Sequence, residues 1–557
     1  MSPSLLPTLP SSRSFVSIAV AFAAFAAIAP AQGLAKDRAT GAGMVDVAAC
    51  QQWLGMLASE EFGGRGTGQP GFEKAANYVA AHFKALGLEA RGADGDYFQR
   101  MPWPVTSVVP EKTFVRIRTK EGQALAIPAE RMQGIANASL SAKGDVALLA
   151  VDVPAPAPRP EGTRQDGQSR FNLPQIPGLD AVDVKDKVVF VYLRQTGEQP
   201  NPLGNFAVSR ALQGKEAAAV VFVQKSEVRG GIEATGGRRA GGRLQPPQPT
   251  IGGKDVEQLL AAAGTTIDAL AEAPLLTVPA LQGEIGIAIA ERESTVMNVF
   301  AVLPGSDPKK KDEYVVIGSH LDHLGRRGDR YFPGADDDGS GTTGVLAVSQ
   351  MLAKNPVKPA RSVLFVCFCG EENGLRGSRH FADNCPIPLS SIVAELQMDM
   401  IGRDEEENAE GDKGEKAEDN RNTVHLIGTK KLAPALHDLC IAKNATAGLD
   451  IEWDQEGMYS RSDHANFARH GVPIAFFFTG LHRDYHQPSD TPDKIHYEKL
   501  LRIATWVYDI AFELAVQEGR PEIEPELWQK LRGNRGPEQP AAPLRGGNAG
   551  GGKDTGK

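Results

Sequence analysis

The sequence predicts an α/β protein built on a mostly parallel mixed sheet flanked by helices, with a β-rich insert. After Glu284, apolar strand-like runs alternate with helical patterns, an order typical of a parallel sheet covered on both faces. Before that point, residues 136–283 carry short strand-like runs and many prolines instead of long helical periodicity. The chain of 557 residues is also too long for one ordinary core, which favours two or more domains.

The first residues, 1–31, have the pattern of a secretory signal peptide. Arg13 precedes an Ala-rich apolar run from Phe15 to Ile28, and Ala29-Pro-Ala31 fits a small-x-small cleavage site. The run is too short and too rich in alanine for a convincing spanning helix, although an uncleaved anchor is the alternative. We therefore expect an exported protein, periplasmic, extracellular or lumenal, with no stable membrane span after cleavage.

Residues 45–135 are expected to form the N-terminal part of the domain that carries the chemistry. Residues 45–88 have a helical pattern, and in the second half of that stretch apolar residues recur at helical spacing between Phe72 and Leu86. A glycine-rich connection at residues 61–68 precedes this helix. It lacks the Gly-Lys-Ser/Thr ending of a phosphate loop and does not follow a strand, so we exclude nucleotide binding there.

Residues 136–283 are expected to form a separate β-rich insert. Strand-like runs occur at Asp145–Val151, Lys187–Leu193 and Ala217–Val223, and Asn205–Gly214 has the pattern of one helix. Glycine- and proline-rich connections separate these runs. The sequence of the insert contains no cluster of metal-type ligands.

Residues 284–520 carry the alternating pattern that predicts the main sheet. Six strands are predicted there: Val296–Leu303, Tyr314–Ile317, Ser362–Cys369, Ile392–Met398, Thr423–Ile427 and Pro473–Phe478. Ligands of such sheets gather at the carboxyl ends of the strands. The charged segment 403–422 is expected to be a solvated surface loop, and the Gly-, Pro- and Ala-rich tail 533–557 to be disordered.

Charge and cysteine content exclude several classes of protein. The formal net charge is -9, which gives no reason to expect a nucleic-acid partner. The cysteines are odd in number and match no zinc-finger or redox spacing: Cys50, Cys367, Cys369, Cys385 and Cys440. The sequence assigns neither a disulfide pairing nor an oligomeric state.

Acids and histidines recur where the predicted strands of residues 284–520 end. The candidate ligands, in order, are His320, Asp337, Glu372, Asp399 and His486. Each alone has an ordinary structural explanation, such as a strand-end hydrogen bond, a helix cap or a loop position. Together they favour a metal site, because nitrogen and oxygen donors suit Zn²⁺, with Co²⁺ or Mn²⁺ as substitutes.

The number of candidate ligands predicts two metal ions that share one ligand. Five donors are too many for one tetrahedral ion and too few for two, unless one of them bridges. Asp337 is the natural bridge, since it is central in the triplet Asp336-Asp337-Asp338. A following helix N-terminus and a cation would offset the charge of this triplet.

Two further acids are expected to support the metal site. Glu371 lies beside the ligand Glu372 without being one itself, which suits a general base. Asp322, two residues after His320, would accept the second ring proton of that ligand and fix its tautomer.

These residues resemble the motifs of the M28 family of zinc peptidases. The motifs are Gly318-Ser-His-Leu-Asp322, Pro333-Gly-Ala-Asp-Asp-Asp-Gly-Ser-Gly341, Gly370-Glu-Glu-Asn-Gly-Leu-Arg-Gly-Ser378, Met398-Asp-Met400, Ser462-Asp-His464 and Tyr485-His-Gln-Pro-Ser-Asp-Thr491. The insert resembles the protease-associated (PA) domain that many members carry. The resemblance covers about residues 45–518, and six motifs in the right order make it specific.

The resemblance implies a fold of the zinc exopeptidase type and a dinuclear zinc exopeptidase, most often an aminopeptidase. Such an enzyme hydrolyses the bond after a peptide or protein N-terminus with a metal-bridging hydroxide. The implied zinc ligands are His320 and Asp399 for one ion, Glu372 and His486 for the other, and Asp337 for both. Glu371 matches the general base of the family.

Other positions are carried over less directly from the family. Tyr459 matches the tyrosine that steadies the tetrahedral oxyanion in some members, although its flanking sequence differs. Asp338 and His323 stand where members of the family often have asparagine or serine. Neither is expected to be a ligand, so these departures bear on substrate preference rather than on the metals.

Three alternatives remain open from the sequence. A carboxypeptidase or a glutaminyl-cyclase-like enzyme would use the same fold and ligands. A non-catalytic receptor or scaffold would be expected to lose ligands or the base, and here none is missing. The preferred side chain of the substrate is not predicted.

Overall fold

The computed structural model describes residues 40–153, 176–195, 204–228, 230–234, 247–272, 276–277, 279–327, 330–406, 416–526 and 528. The predicted signal peptide, the C-terminal tail and the centre of the charged loop lie outside these residues. The interpretations of the signal peptide and the tail stay predictions. The described ends of the charged segment are not solvated as expected, because Arg403, Asp404, Glu405 and Asn420 are buried.

The strands that the structure describes are numbered here in chain order. They are β1 (Phe98–Val108), β2 (Phe114–Thr119), β3 (Ala124–Pro128), β4 (Gln133–Ala136), β5 (Leu140–Val153), β6 (Val188–Gln195), β7 (Ala219–Gln224), β8 (Gly231–Ala234), β9 (Thr250–Gly252), β10 (Leu276–Thr277), β11 (Leu281–Ile287), β12 (Ile289–Leu303), β13 (Tyr314–His320), β14 (Arg326–Arg327), β15 (Arg330–Tyr331), β16 (Ser362–Phe368), β17 (Ile392–Met398), β18 (Thr423–Ile427), β19 (Asp450–Glu452) and β20 (Ile474–Phe478).

The α-helices of the described residues are numbered in the same way. They are α1 (Val47–Leu57), α2 (Pro70–Ala85), α3 (Gly204–Gly214), α4 (Gly253–Ala262), α5 (Ile267–Glu272), α6 (Gly339–Lys354), α7 (Arg376–Asp383), α8 (Thr429–Leu432), α9 (Pro434–Ala447), α10 (His464–Arg469) and α11 (Tyr497–Val516). The predicted strands of residues 284–520 and the predicted helix 205–214 each coincide with one of these elements.

The first sheet has eight strands in the order β1-β12-β16-β13-β17-β20-β18-β19. Its centre is parallel: β16, β13, β17 and β20 run in one direction. The pairs β1–β12, β12–β16 and β18–β20 are antiparallel. The predicted α/β class with a mostly parallel mixed sheet is therefore confirmed.

Both faces of this sheet are covered by helices, because successive residues of its central strands are apolar. In β13, Val315 and Ile317 pack into a cluster with side chains of α1, α2, α6 and α11. Tyr314 and Val316 point the other way, into a cluster that includes Phe381 of α7. A strand buried on both faces requires such a continuous apolar run, which is the pattern of a parallel sheet.

The second sheet follows the path β3-β2-β11-β5-β6-β7-β9-β4-β8 and forms the β-rich insert, with its own apolar clusters on its two faces. The predicted boundary at residue 136 is wrong, since β2, β3 and β4 already belong to this sheet. Strand β2 pairs antiparallel with β11. Short strands separated by turns have the same sequence pattern in either sheet, so the pattern did not show which sheet each one joins. That the insert is a PA domain stays a prediction.

Two long antiparallel strands connect the insert to the first sheet. The register of β1 and β12 runs from Phe98 opposite Val299 to Val108 opposite Ile289. The segments by which the chain enters and leaves the insert, β1 and β12, thus run side by side.

All five cysteines are free thiols, and four of them are buried. Among the described residues, no helix has the length and apolar character needed to cross a bilayer.

Candidate metal centre

The five predicted ligands converge at the carboxyl end of the parallel strands. Each reaches this edge from a different element: the last residue of β13, the loop before α6, the turn after β16, the residue after β17 and the loop between β20 and α11. In that order they are His320, Asp337, Glu372, Asp399 and His486. The structure therefore brings the five predicted ligands together, although they span more than 160 positions of the chain.

The first ligand group consists of His320, Asp337 and Asp399. The Nε2 atom of His320 lies 3.2 Å from Oδ1 of Asp337 and 3.5 Å from Oδ1 of Asp399. All three side chains are buried, with at most 7% of any residue exposed. Two buried carboxylates that converge on one imidazole suit a divalent cation between them.

The second group is built around the other oxygen of Asp337. The Nε2 atom of His486 lies 3.0 Å from Oδ2 of Asp337 and 3.3 Å from Oε2 of Glu372. Donors bound about 2.0–2.1 Å from one zinc ion in a tetrahedron are about 3.3 Å apart. The spacing within both groups fits this value, and Asp337 turns one oxygen toward each group, as a bridging ligand does.

The electrostatics of the site keep the shared carboxylate ionised. Burial alone would raise the pKa of Asp337, but His323, His320 and His486 hold it well below its usual range. An ionised Asp337 is available as a ligand at neutral pH.

His323, which the sequence analysis set aside, belongs to the second group. Its ring is buried, and Nδ1 lies 2.8 Å from Oε1 of Glu372 and 3.6 Å from Oδ2 of Asp337. The only signal in the sequence was its position three residues after His320. That signal is weak, because the residue lies beyond the end of the strand, where side-chain direction is not set by strand alternation.

Asp322 does not act on His320 through its carboxylate as predicted. The Nδ1 atom of His320 is 2.9 Å from the backbone carbonyl of Asp322, while the carboxylate oxygen is 3.9 Å away. The ring donates to the carbonyl because the chain turns back directly after β13. This hydrogen bond still fixes the tautomer and leaves Nε2 free to bind a cation.

The carboxylate of Asp322 instead holds the turn that carries Glu371. It accepts hydrogen bonds from the hydroxyl of Thr67 (2.8 Å) and from the backbone N–H of Glu371 (3.1 Å). The Thr67 hydroxyl oxygen in turn accepts from the N–H of Gly370, at 3.0 Å. Asp322 and Thr67 therefore hold the backbone of the turn that carries the predicted base, Glu371.

The glycine-rich connection 61–68 supports the site from outside the catalytic segment. Arg65 is completely buried, and its guanidinium donates to the carbonyls of Leu57, Leu321, Pro333 and Gly334 at 2.7–2.9 Å. These bonds tie the connection to the segments on either side of the ligand loops. The sequence showed a lone arginine among glycines, which by itself does not identify a partner.

Each acid of the triplet 336–338 has a different partner. Asp336 accepts from the N–H of Gly402 at 2.7 Å. Asp338 caps α6 through the N–H of Gly341 at 2.9 Å and also accepts from the N–H of His320 at 3.0 Å. Only the central residue, Asp337, faces the ligand groups.

Asp490 holds the backbone of the same triplet. Its carboxylate accepts from the N–H groups of Asp336 and Asp337, at 3.0 and 3.2 Å. The loop that carries His486 is thereby fixed to the loop that carries the bridging ligand.

Glu371 lies in a pocket that opens onto the first ligand group. The pocket is lined by His320, Asp337, Glu371, Asp399, Met400, Met458, Arg461, Phe476, Phe478, Leu481 and Tyr485. Burial, together with the negative charges of Asp463, Asp399 and Glu372, raises the pKa of Glu371 well above its usual range, although His320 opposes this shift. A carboxyl group with a raised pKa can hold a proton during a reaction near neutral pH.

The structure does not support the oxyanion role predicted for Tyr459. Tyr459 is not among the residues that line the pocket, and its ring packs against an apolar cluster that includes Ile427 and Phe476. Tyr485 lines the pocket, and its ring stacks on His486 with the centroids 3.8 Å apart. The oxyanion role of Tyr459 stays a prediction, and Tyr485 is a second candidate for it.

A separate acid–histidine group lies on β18, the strand next to the edge strand β19 of the same sheet. His425 is buried between Glu405 and Asp454, with its ring nitrogens 3.0 and 3.1 Å from their carboxylate oxygens. Burial opposes a charge on the ring, but these two hydrogen bonds outweigh it and raise the pKa of His425 to about 9. Both nitrogens carry protons in this arrangement, so the ring is an imidazolium that joins two acids.

The sheet and the two ligand groups that share Asp337 define an α/β protein with a candidate dinuclear metal site. Comparison with protein families agrees with this class: Peptidase family M28 matches residues 298–511. The matched residues contain all five predicted ligands and Glu371.

Individual relatives match the same part of the chain. A probable leucine aminopeptidase of Arthroderma otae is 30% identical over 227 residues, which are 39% of this chain and 57% of the relative. Leucine aminopeptidase 1 of Pyrenophora tritici-repentis is 29% identical over 232 residues, 40% of this chain and 56% of the relative. The chain spans little more than half the length of the curated relatives that it matches.

One solved structure shares the fold over nearly its whole length. It is a zinc aminopeptidase from Bacillus subtilis, with a TM-score of 0.51 and 17% sequence identity. The match covers 86% of this chain and 98% of that protein.

Proposed function

We propose that the protein is a zinc-dependent aminopeptidase that removes the first residue from peptides. The observation that carries this proposal is the pair of ligand groups sharing Asp337, with Glu371 in the adjoining pocket. The match of residues 298–511 to M28 peptidases and the leucine aminopeptidases among its relatives support the same conclusion.

Two zinc ions would be held by His320, Asp337 and Asp399 on one side and by Asp337, Glu372 and His486 on the other. The histidine and carboxylate donors and their spacing fit zinc, with Co²⁺ or Mn²⁺ as substitutes. When bound, the metal pair supplies an activated water and a Lewis acid for the scissile carbonyl.

Glu371 is the general base in this proposal. Its carboxyl group shares the pocket with three of the ligands, and its backbone is held by Asp322. It takes a proton from the attacking water and passes it to the nitrogen of the leaving peptide.

Tyr485 replaces Tyr459 as the residue that stabilises the developing negative charge. Arg461 donates to the hydroxyl oxygen of Tyr485 over 3.5 Å, so the Tyr485 O–H can point at a substrate oxygen. A donor that is already in place costs little reorganisation when the charge develops.

The pocket composition predicts an apolar first residue in the substrate. Met400, Met458, Phe476, Phe478 and Leu481 form one side of the pocket. A leucine-sized side chain that packs against these groups is removed from water. This burial contributes about 25 cal/mol of binding free energy per Å² of apolar surface.

Charge favours an aminopeptidase over a carboxypeptidase, although one residue supports the alternative. Glu371 lines the pocket and, in the ionised form in which it acts as the base, attracts a free α-ammonium group. Arg461, however, lines the same pocket and would suit a C-terminal carboxylate.

Hydrolysis of a matched peptide series tests the proposal. The series contains one leucine-initiated peptide in four forms: free, N-acetylated, C-amidated, and with the first residue changed to glutamine. We expect cleavage of the free and amidated forms, loss of cleavage after acetylation or chelation, and recovery with Zn²⁺. Cleavage of the acetylated form from its C-terminus would establish the carboxypeptidase instead, and release of ammonia from an N-terminal glutamine would establish the cyclase.

We further propose that the protein is exported. The arginine, apolar run and small-residue site within residues 1–31 support this. Mass spectrometry of the N-terminus of the mature protein should find a start shortly after Ala31, whereas an intact Met1 on a membrane-bound product would indicate an anchor.

A further inference from the structure

We propose that His425 is a positioning residue for the substrate pocket. Its ring joins two acids, Glu405 and Asp454, and these three residues are called the clasp. The clasp holds residues 454–461, the wall segment, which supplies two residues of the pocket lining. This inference rests on the proposed function, because it concerns the pocket that would receive the first residue of the substrate.

Two hydrogen bonds make the clasp. Nε2 of His425 donates to Oε2 of Glu405 at 3.0 Å, and Nδ1 donates to Oδ1 of Asp454 at 3.1 Å. A carboxylate can only accept, so the ring carries a proton on each nitrogen. Such charge-assisted bonds are roughly twice as strong as bonds between neutral groups. The ring is fully buried, so water does not compete for its nitrogens.

The wall segment depends on hydrogen bonds for its position. It begins with the 3-10 turn Asp454–Ser460, in which no residue is buried. Gln455 in this turn donates through Nε2 to Oε1 of Glu405 at 3.1 Å, so this acid holds the wall segment directly as well. A segment with little buried surface opens easily once such bonds are lost. The clasp thus supplies part of what keeps Met458 and Arg461 at the pocket.

The clasp also lies against two other parts of the pocket lining. The ring of His425 is 5.8 Å from the ring of Phe478, measured between centroids. The residue after Glu405, Glu406, donates its backbone N–H to the carbonyl of Leu481 at 2.9 Å. Phe478 and Leu481 both line the pocket. A displaced clasp would therefore disturb the apolar side of the pocket, where the first residue of the substrate would pack.

The clasp should weaken when the ring of His425 loses its proton. Three acids face the ring: Glu405 in the segment that follows β17, Asp454 in the wall segment, and Glu452 on β19, whose carboxylate is 3.8 Å from Nδ1. Phe478 of β20, which packs against the same ring, carries no charge. Burial alone would lower the pKa of His425, but the bonds to Asp454 and Glu405 raise it to about 9. The clasp is therefore complete at neutral pH and loses a donor as the pH rises through about 9.

A bound cation is the alternative to a protonated ring in this cluster. Glu405, His425 and Glu452 offer ligand atoms that lie within 4.8 Å of one another. A cation needs a ring nitrogen without a proton, however, and both nitrogens already donate to acids. The geometry therefore favours the clasp, and the metal content of a variant decides between the two.

Steady-state kinetics on one leucine peptide test the clasp at pH 7. Asp454→Ala removes the acid on the wall segment, whose side chain is 40% exposed, so the variant should fold. KM should rise roughly ten-fold, the effect of one lost hydrogen bond to a charged group, while kcat stays within about two-fold because the reacting groups lie on other segments. Asp450→Ala, at an exposed acid four residues earlier, is the matched control and should leave both constants unchanged.

The pH dependence of a KM ratio separates the ring proton from other titrating groups. His425→Gln has no imidazole proton to lose, and its KM should exceed the wild-type value at pH 7. The ratio of the two KM values should fall toward one between about pH 8 and 10, because only the wild type loses its clasp there. Titration of the substrate or of the metal site affects both proteins and cancels in the ratio.

Hydrogen–deuterium exchange tests the clasp without any need for activity. In Asp454→Ala the amides of residues 454–461 should exchange faster than in the wild type at pH 7, while those of the central strands keep their protection. If the wild type cleaves no peptide, the proposed function fails, and faster exchange of the wall segment still supports the holding role of His425.

Three results would overturn the inference. One is a KM within about two-fold of the wild type in both D454A and H425Q, with unchanged exchange of the wall segment. Another is a KM ratio that is the same at pH 7 as at about pH 10, which would show that the ring proton does not hold the clasp. The third is one metal ion fewer per molecule in H425Q than in the wild type, measured by atomic emission, which would assign the cluster to a cation.

Discussion

Three consecutive acids at residues 336–338 show how far identical side chains can differ in role. Asp336 and Asp338 accept backbone N–H groups and hold loops, while Asp337 turns its two oxygens toward two different histidines. The sequence predicted the central acid as the bridge. It did not predict the roles of its neighbours, because these depend on where the backbone donors of distant loops lie.

Replacing the base should separate catalysis from metal binding. In Glu371→Gln we expect kcat to fall roughly 10²- to 10⁴-fold, since the amide cannot take the proton of the attacking water. Zinc content should stay at the wild-type value, measured by atomic emission. Glu372→Gln is the matched control and should lose zinc. Unchanged turnover in E371Q would remove Glu371 from the mechanism.

The two tyrosines can be compared directly. Tyr485→Phe keeps the ring that stacks on His486 but removes the hydroxyl, so kcat should fall roughly 10²-fold with a small change in KM. Tyr459→Phe should change kcat by less than about three-fold, because Tyr459 is not among the residues that line the pocket. Steady-state kinetics on one leucine peptide decide between them, and the reverse result would restore the oxyanion role of Tyr459.

At the scale of elements, the glycine-rich connection 61–68 acts as a support for strands and loops that lie far from it in sequence. Gly64 has a φ of 76°, and an added Cβ would come within 2.3 Å of the carbonyl oxygen of Phe332. Only glycine permits both this backbone conformation and this close approach. Arg65 then reaches four carbonyls, and Thr67 reaches the turn of Glu371.

Arg65→Met should destabilise the fold by about 3 kcal/mol or more, because it leaves four carbonyls without their charged donor. Urea unfolding followed by tryptophan fluorescence measures the change. The exposed Arg91, which pairs only at the surface with Glu89, serves as the control, and Arg91→Met should change the free energy of unfolding by less than about 0.5 kcal/mol. Equal effects of the two substitutions would show that the buried bonds do not matter.

The strand β18 carries a group that should make stability depend on pH. Folding raises the pKa of His425 to about 9, so the protonated ring stabilises the folded state fully below the ordinary pKa of about 6.5. This stabilisation is lost as the pH rises through about 9. The free energy of unfolding should therefore decrease between pH 6.5 and 9.5, and His425→Gln should reduce that slope. Identical slopes in the two proteins would contradict the assignment.

At the scale of the whole molecule, the α/β class, the central strands and the convergence of five ligands were all predictable. They follow from the period of apolar residues and from the rule that ligands gather at strand ends. The membership of β2–β4 in the second sheet was not predictable, since pairing partners of short strands are set by tertiary contacts. The carbonyl contact of His320 was missed for the same reason, because local sequence does not specify loop orientation.

Bound zinc should stabilise the folded state of the molecule, because its positive charge offsets the repulsion between carboxylates that are buried close together. Removing the metal should lower the free energy of unfolding by about 4 kcal/mol per site when zinc was present at about 1,000 times its Kd. Differential scanning calorimetry with and without a chelator measures the shift in Tm, and added Zn²⁺ should reverse it. A Tm that does not respond to the chelator would show that no metal is bound in the folded state.

The pairing of β1 with β12 also constrains the order in which the elements fold during synthesis on the ribosome. The edge strand β1 ends at Val108, but its partner begins at Ile289. Helices α1 and α2 and strand β1 therefore leave the exit tunnel long before anything exists for them to dock on, while the intervening sheet can already fold. Because closing contacts between distant segments is slow, completion of the first sheet waits for the strands that begin at Ile289, and the second sheet is positioned to fold first in a nascent chain.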